Sequence, residues 1–133
     1  MGDGPLIILD THAWMWWLLT PNKLSKNAAR AIESAESLGV PAICCLEVAA
    51  MVQNREIEVA GPVAAWMQQA LAAPRFELVP ISPAIAVTAA GLRGSGVTDP
   101  ADRLIAATTI ELQATLVTKD QKLLDFEAVR TVW

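Results

Sequence analysis

One histidine, two cysteines and no tyrosine in 133 residues leave few of the side chains on which nucleophilic or soft-metal chemistry is built. With His12 alone, a His-rich zinc site or a histidine pair is excluded, and any Ser-His-Asp or Cys-His relay would have to run through that one imidazole. Cys44 and Cys45 are adjacent, a spacing that suits neither a structural disulfide nor a C-x-x-C redox or zinc motif, so small core hydrophobes are their expected role. Long apolar runs are missing too. Pro41, Glu47, Pro62 and Pro74 interrupt every stretch before it reaches the roughly 18 to 20 residues a bilayer span needs, so no membrane segment is expected. The start, Met1-Gly2-Asp3-Gly4-Pro5, has no basic region followed by an apolar stretch, so no secretory signal is expected and the cytoplasm is the expected location. Positive charge is scarce: 10 Lys and Arg against 14 Asp and Glu give a net charge of −4, which argues against broad, charge-driven binding of nucleic acid.

What is present is apolar material, 53% of the chain, enough for the core of one compact α/β domain over residues 1–133. Strand-like and helix-like segments alternate throughout. The unbroken apolar run from Pro5 to Asp10 predicts a strand buried on both faces, followed by a helix carrying Trp14, Trp16, Trp17 and Leu18. Trp14 and Trp17 are spaced to share a core face while Trp16 points elsewhere. Pro21-Asn22 breaks that helix, Lys23 to Ser37 reads as a second helix ended by Gly39, and Val40 to Cys44 as a second strand leading to a helix with Glu47. A helix from Gly61-Pro62 to Ala72, a strand Phe76 to Ile81, and a helix Ala84 to Leu92 capped by Ser82-Pro83 follow. After the Gly94-Ser95-Gly96 loop, Asp99-Pro100-Ala101-Asp102 opens a helix; then come a strand Thr115 to Thr118, a short helix Lys119 to Phe126 and a last strand Val129 to Trp133. Such alternation implies right-handed crossovers and a mainly parallel sheet with helices on both faces, where ligands bind beyond the carboxyl ends of the strands.

Acidic residues stand at those ends and at helix starts: Asp10, Glu47, Asp99, Asp102 and Asp120. Gathered in space, they would raise one another's pKa unless a cation joined them, and Mg²⁺ or Mn²⁺ is the usual answer to an all-oxygen site. Each has a plainer explanation. Asp10 is placed to cap the helix beginning near Thr11, a role worth roughly 1 kcal/mol that needs no other purpose. Asp99 at N-cap, Pro100 at N1 and Asp102 at N3 form a complete helix-start signature, and Asp120 could again be a cap. Glu47 is harder to explain by structure alone, as the only charged residue between Val40 and Val52: buried without a partner it would cost several kcal/mol, so it must be paired, protonated, bound to metal or at a solvent edge. Asp102 shares a face with Ile105, Ala106 and Thr109, whereas Glu111 is expected to point to water.

Leu9-Asp10-Thr11-His12-Ala13-Trp14, Glu47-Val48-Ala49, the segment Asp99-Pro100-Ala101-Asp102-Arg103-Leu104-Ile105-Ala106-Ala107-Thr108, and Leu116-Val117-Thr118-Lys119-Asp120 resemble, in order, the acidic motifs of PIN domains. The match is closest to VapC-type toxins of bacterial toxin-antitoxin pairs and covers nearly the whole chain. The resemblance implies a three-layer PIN-like fold and a Mg²⁺- or Mn²⁺-dependent endoribonuclease, held inactive by a VapB-type antitoxin and usually a homodimer. Carried over by position, Asp10, Glu47 and Asp102 match the core acidic triad, Asp120 a fourth, more variable acid, and Asp99 an extra acid of this branch. Arg103, Lys119 and Thr118 are the candidate substrate contacts, with Lys122 a further basic candidate. Cys44 stands where relatives often have Ser before the Glu helix, and Met51 where some carry a basic residue. Two rivals stand beside this reading: a receiver-like Mg²⁺-binding signalling domain, which needs a paired acid at the first strand end and a phosphoacceptor at the third, and a PIN-like module that has lost activity and only binds.

Overall fold

The computed structural model describes residues 6–133. Its centre is a five-stranded, all-parallel sheet in the order β3-β2-β1-β4-β5, built from β1 (Leu6–Leu9), β2 (Ser37–Pro41), β3 (Phe76–Val79), β4 (Thr115–Val117) and β5 (Thr131–Val132). Successive side chains of a strand point to opposite faces, yet Ile7, Ile8 and Leu9 are all buried, as are Thr115, Leu116 and Val117. Helices therefore cover both faces, giving the expected three-layer α/β arrangement.

The first crossover holds α1 (Thr11–Leu19), a 3₁₀ turn (Pro21–Lys23) and α2 (Lys26–Ser34); the second holds α3 (Ala42–Gln53) and α4 (Val63–Leu71). The third holds α5 (Pro83–Gly91) and α6 (Pro100–Glu111), and α7 (Gln121–Leu124) joins β4 to β5. Among the described residues no helix is long and apolar enough to cross a membrane. Pro5, the expected start of the first strand, and the Met1-Gly2-Asp3-Gly4 stretch on which the expectation of no secretory signal rests lie outside the described residues.

Several boundaries differ from expectation. Gly39 does not end α2 but sits within β2, where a Cβ would meet Ile8 Cδ1 at 2.9 Å and Val79 Cγ2 at 3.0 Å from the flanking strands. The helix stops earlier, at Ser34: Ser25 caps its start, accepting from Ala28 N at 3.0 Å, and Arg75 Nη1 donates to Ile32 O and Ala35 O at 2.9 and 2.8 Å at its end. Arg75 lies 40 residues or more away in sequence, so no local signal announced this cap. Correspondingly β2 ends at Pro41, and Ala42 to Cys44, read as strand, form the first turn of α3. β3 and β5 are also shorter than expected, β3 stopping before Pro80, which has no N–H for the ladder.

Chain direction along the sheet fixes where a cleft opens. From β1 the chain moves outward through β2 to β3, then returns to β4 on the other side of β1, so the connections leave β1 and β4 in opposite directions. The carboxyl ends of these two strands form the topological switch point, the place where parallel sheets leave a crevice.

Candidate active site

Asp10 and Thr118 follow β1 and β4, and the register pairing Leu9 with Val117 sets them side by side. Asp10 is 8% exposed. Its Oδ1 accepts from Ala13 N at 2.8 Å, capping α1, while its Oδ2 accepts from the Thr118 hydroxyl at 2.5 Å. Cap and site are thus not alternatives: one oxygen starts the helix and the other faces β4. Burial raises the Asp10 carboxyl above its ordinary pKa, and the hydrogen bonds from Thr118 and Ala13 act against that shift. Thr118 is fully buried, and its hydroxyl also accepts from Asp120 N at 3.0 Å. Its hydroxyl therefore holds the Asp10 carboxylate and the backbone of Asp120, and its side chain is buried where the sequence suggested a substrate contact.

Glu47 lies in the second turn of α3, half-buried, where the Thr11 hydroxyl donates to its Oε1. The orienting hydroxyl comes from the start of α1, not from the position held by Cys44. Cys44 is inside α3, buried with Sγ 3.9 Å from Leu9 O, and burial pushes its thiol well up; it is core, as expected. Cys45 is only half-buried.

The helix-start signature of α6 holds: Asp99 Oδ1 accepts from Ala101 N at 2.9 Å, Pro100 is the first residue, and Asp102 is in the first turn. Asp99 is exposed, Asp102 half-buried. Burial first, then the charges of Asp120, Asp99 and Glu47, push the Asp102 carboxyl up to about 7. Asp120 caps α7, Oδ1 accepting from Lys122 N at 3.0 Å. Glu111 is exposed and accepts from Thr88 Oγ1 at 2.7 Å, away from these acids.

Asp10, Glu47, Asp99, Asp102 and Asp120 line one open cleft of about 430 Å³, together with Thr11, His12, Trp16, Ile105 and Lys119. Lys119 is the basic residue in that wall. Arg103 is not part of it: its Nε donates to Val97 O at 2.7 Å and secures the loop before α6. Lys122 is exposed outside it. Thr11, His12, Ile105 and Trp16 enter the site without having been singled out as ligands or substrate contacts. Thr11 was readable in principle as the residue following Asp10, whereas the placing of Trp16 depends on long-range packing.

Among the described residues no three Asp, Glu, His or Cys side chains already stand at the spacing that closes around one ion. A closed cage of the kind that holds structural zinc is therefore not what this cleft offers. A hard dication that keeps several of its waters needs only one or two direct carboxylates, and the all-oxygen donors, open volume and mutually repelling acids fit that mode. A receiver-like site would require an acid at the end of the third strand. β3 ends at Val79, at the sheet edge, and contributes nothing to the cleft.

Comparison with known proteins shows the family and the fold. The family model for the PIN domain matches residues 7–129. Ribonuclease VapC22 of Mycobacterium tuberculosis (strain ATCC 25618 / H37Rv) is 43% identical over 129 residues, covering 96% of this chain and 98% of that protein. Among solved structures, VapBC2 from Rickettsia felis, bound to a DNA fragment from their promoter, superposes with a TM-score of 0.70 at 16% identity, covering 96% of this chain and 97% of that one. VapBC-5 from Mycobacterium tuberculosis, a member of the VapBC family of toxin-antitoxin systems, superposes with a TM-score of 0.61 at 15% identity, covering 96% and 98%. At these identities the structural likenesses speak for the fold.

Proposed function

Because the chain belongs to the PIN domain family, we propose that it is a metal-dependent endoribonuclease, the VapC-type toxin of a toxin-antitoxin pair, acting as one domain in the cytoplasm. The observation that carries the reading is the convergence of Asp10, Glu47, Asp102 and Asp120 on one cleft at the sheet's switch point. The 43% identity to a ribonuclease over nearly the full length of both proteins supports it independently.

In this reading Asp10, Glu47 and Asp102 would hold Mg²⁺ or Mn²⁺, one or two of them directly and the rest through its hydration shell, and Asp120 and Asp99 of the same cleft would join them. When bound, such a cation lowers the pKa of water and neutralises charge on phosphate oxygens, so phosphodiester hydrolysis needs no protein nucleophile. The chain's own residues do the positioning. Thr118 fixes Asp10 and the backbone of Asp120, Thr11 turns Glu47 toward the cleft, and Lys119 draws the phosphate backbone to an otherwise acidic wall. A VapB-type antitoxin and a second copy of the chain are the partners this reading entails, the first suggested by the VapBC names of the structural neighbours.

The experiment incubates the purified protein with pooled cellular RNA and Mg²⁺, sequencing new ends, and in parallel with a small-molecule phosphodonor. Discrete RNA ends and no phosphorylation are expected. Phosphorylation of an aspartate would establish the receiver reading, and RNA left intact under every metal condition would leave only a binding module.

A further inference from the structure

A second open recess, of about 250 Å³, shares Thr11, His12 and Glu47 with the acidic cleft and runs on along the end of α3. There Ala50 and Met51 supply apolar surface, and Asn54 and Glu56 stand in the wall as exposed polar side chains. Backbone bonds fix the turn that carries those two residues. Asn54 caps α3, Arg55 N donates to Val52 O at 3.1 Å, and Glu56 N donates to Met51 O at 2.8 Å, a double closure with which helices commonly end. Such a closure puts the residue after the cap in the left-handed region, where glycine is the usual occupant, yet here the residue is Arg55 at φ 61°. Its Cβ is crowded by the backbone in a way glycine would avoid. Arg75, at φ 74°, is crowded likewise and has a visible task, donating through Nη1 to Ile32 O and Ala35 O. Arg55 is exposed, between the two residues that line the recess. A cation near a helix end favours the macrodipole, but any position in the last turn would serve that purpose without a left-handed backbone.

We propose that the Asn54-Arg55-Glu56 turn determines which sequence is cut: the recess takes the base next to the scissile bond, Asn54 and Glu56 meet its edge, and Arg55 takes a neighbouring phosphate. The inference rests on the nuclease reading and adds specificity-determining residues to it. Because Thr11, His12 and Glu47 belong to both spaces, a base in the recess lies beside a phosphate in the cleft. Charge does not choose the occupant, since Glu47 and Glu56 stand in the wall and Arg55 on the turn between its lining residues. The hydrogen-bonding pattern does. The Asn54 amide offers a donor and an acceptor together, which a base edge can match bidentately, whereas a lysine or arginine of a protein partner brings donors only. Glu56 is an acceptor alone, so it favours a base with an exocyclic amino group, which uracil lacks. Ala50 and Met51 give the ring face an apolar contact.

The test cleaves pooled cellular RNA with the purified full chain in Mg²⁺ and sequences the new ends. Uracil should be depleted at one position beside the cut, and Asn54→Ala should lose that discrimination by a factor on the order of 10. Glu56→Ala should lose it too. Arg55→Gly should fold with a melting temperature at or above that of its parent, raise KM for all sequences alike, and reduce the slope of log KM against log salt by about one. Arg55→Lys, which keeps the charge, should restore that slope. A folded Asn54→Ala protein whose ends show the parent's base distribution overturns the proposal. So does Arg55→Gly with an unchanged KM and a lowered melting temperature, which would make Arg55 only a structural charge at the helix end. Loss of a co-purifying protein from Asn54→Ala, with the base distribution unchanged, would assign the turn to that partner and also overturn it. The two readings fail distinguishably. RNA left whole by the unmutated protein under every metal condition defeats the nuclease reading and this inference with it; cleavage with a base distribution indifferent to Asn54 defeats the inference alone.

Discussion

The Thr118 hydroxyl donates to Asp10 Oδ2 at 2.5 Å and accepts from Asp120 N at 3.0 Å, so one buried side chain joins the ends of β1 and β4 across 108 residues. Thr118→Val keeps the shape, removes the donor and leaves a buried carboxylate oxygen without its partner. A hydrogen bond to a charged group is worth about 1.5–3 kcal/mol, so RNA cleavage should fall roughly 10- to 100-fold. Thr118→Ser should retain most activity. Steady-state cleavage rates beside thermal melts check this, and a folded Thr118→Val protein of full activity would remove Thr118 from the positioning of the site.

Asp99 and Asp102 share a helix start but not a role. Asp99 is exposed and caps α6, a task Asn performs equally well, so Asp99→Asn should leave most cleavage activity and the melting temperature in place. Asp102→Asn should be folded and nearly inactive. Comparing the two variants in one cleavage assay decides it, and the reverse order of activities would make Asp99 the ligand.

Stability of the metal-free protein should depend on pH with a definite sign. Asp102, raised from 3.8 to about 7, holds its proton in the folded protein over a range where the unfolded chain has lost it. The folded state then binds more protons, so stability should fall as pH rises from about 4 to about 7. The raised Asp10 carboxyl acts in the same direction. A saturating divalent cation, which favours the ionised carboxylates, should flatten that slope and raise the melting temperature by mass action. Melting curves in EDTA and in Mg²⁺ across this range measure both; a melting temperature that climbs with pH in EDTA would contradict the repulsion on which the metal reading depends.

Much of this was legible in the chain because the signals are local. The apolar run ending at Asp10, Asp99-Pro100 and Ser82-Pro83 fix strand ends and helix starts through backbone chemistry alone, and the alternation of elements implied the parallel sheet whose switch point holds the cleft. What was hidden depends on distant partners. Gly39 looked like a helix stop because nothing nearby reveals Ile8 and Val79 closing on it from two neighbouring strands. Thr118 looked available to substrate because its burial follows from the β1–β4 register, and Arg103 looked free because its Val97 partner belongs to a loop without a pattern. Trp16 could be separated from Trp14 and Trp17 by spacing, but its place between the acids and Trp133 required the fold.

A toxin that cuts cellular RNA should arrest growth when expressed without its antitoxin, and Asp10→Asn should relieve the arrest while still accumulating as folded protein. Because the buried Asp10 carboxylate is held at a cost, its replacement should not lower the metal-free melting temperature. Growth curves after induction test the first claim and melting curves the second; harmless accumulation of folded wild-type protein would count against the toxin reading.

The most direct test of the central claim, that the carboxylate cleft works through a divalent cation, is cleavage of an end-labelled RNA by the purified protein in EDTA, followed by replacement of Mg²⁺ or Mn²⁺. The account predicts no cleavage in EDTA, recovery on adding metal, and no recovery in the Asp102→Asn protein. Undiminished cleavage in EDTA, or full metal-dependent cleavage by Asp102→Asn, would contradict it.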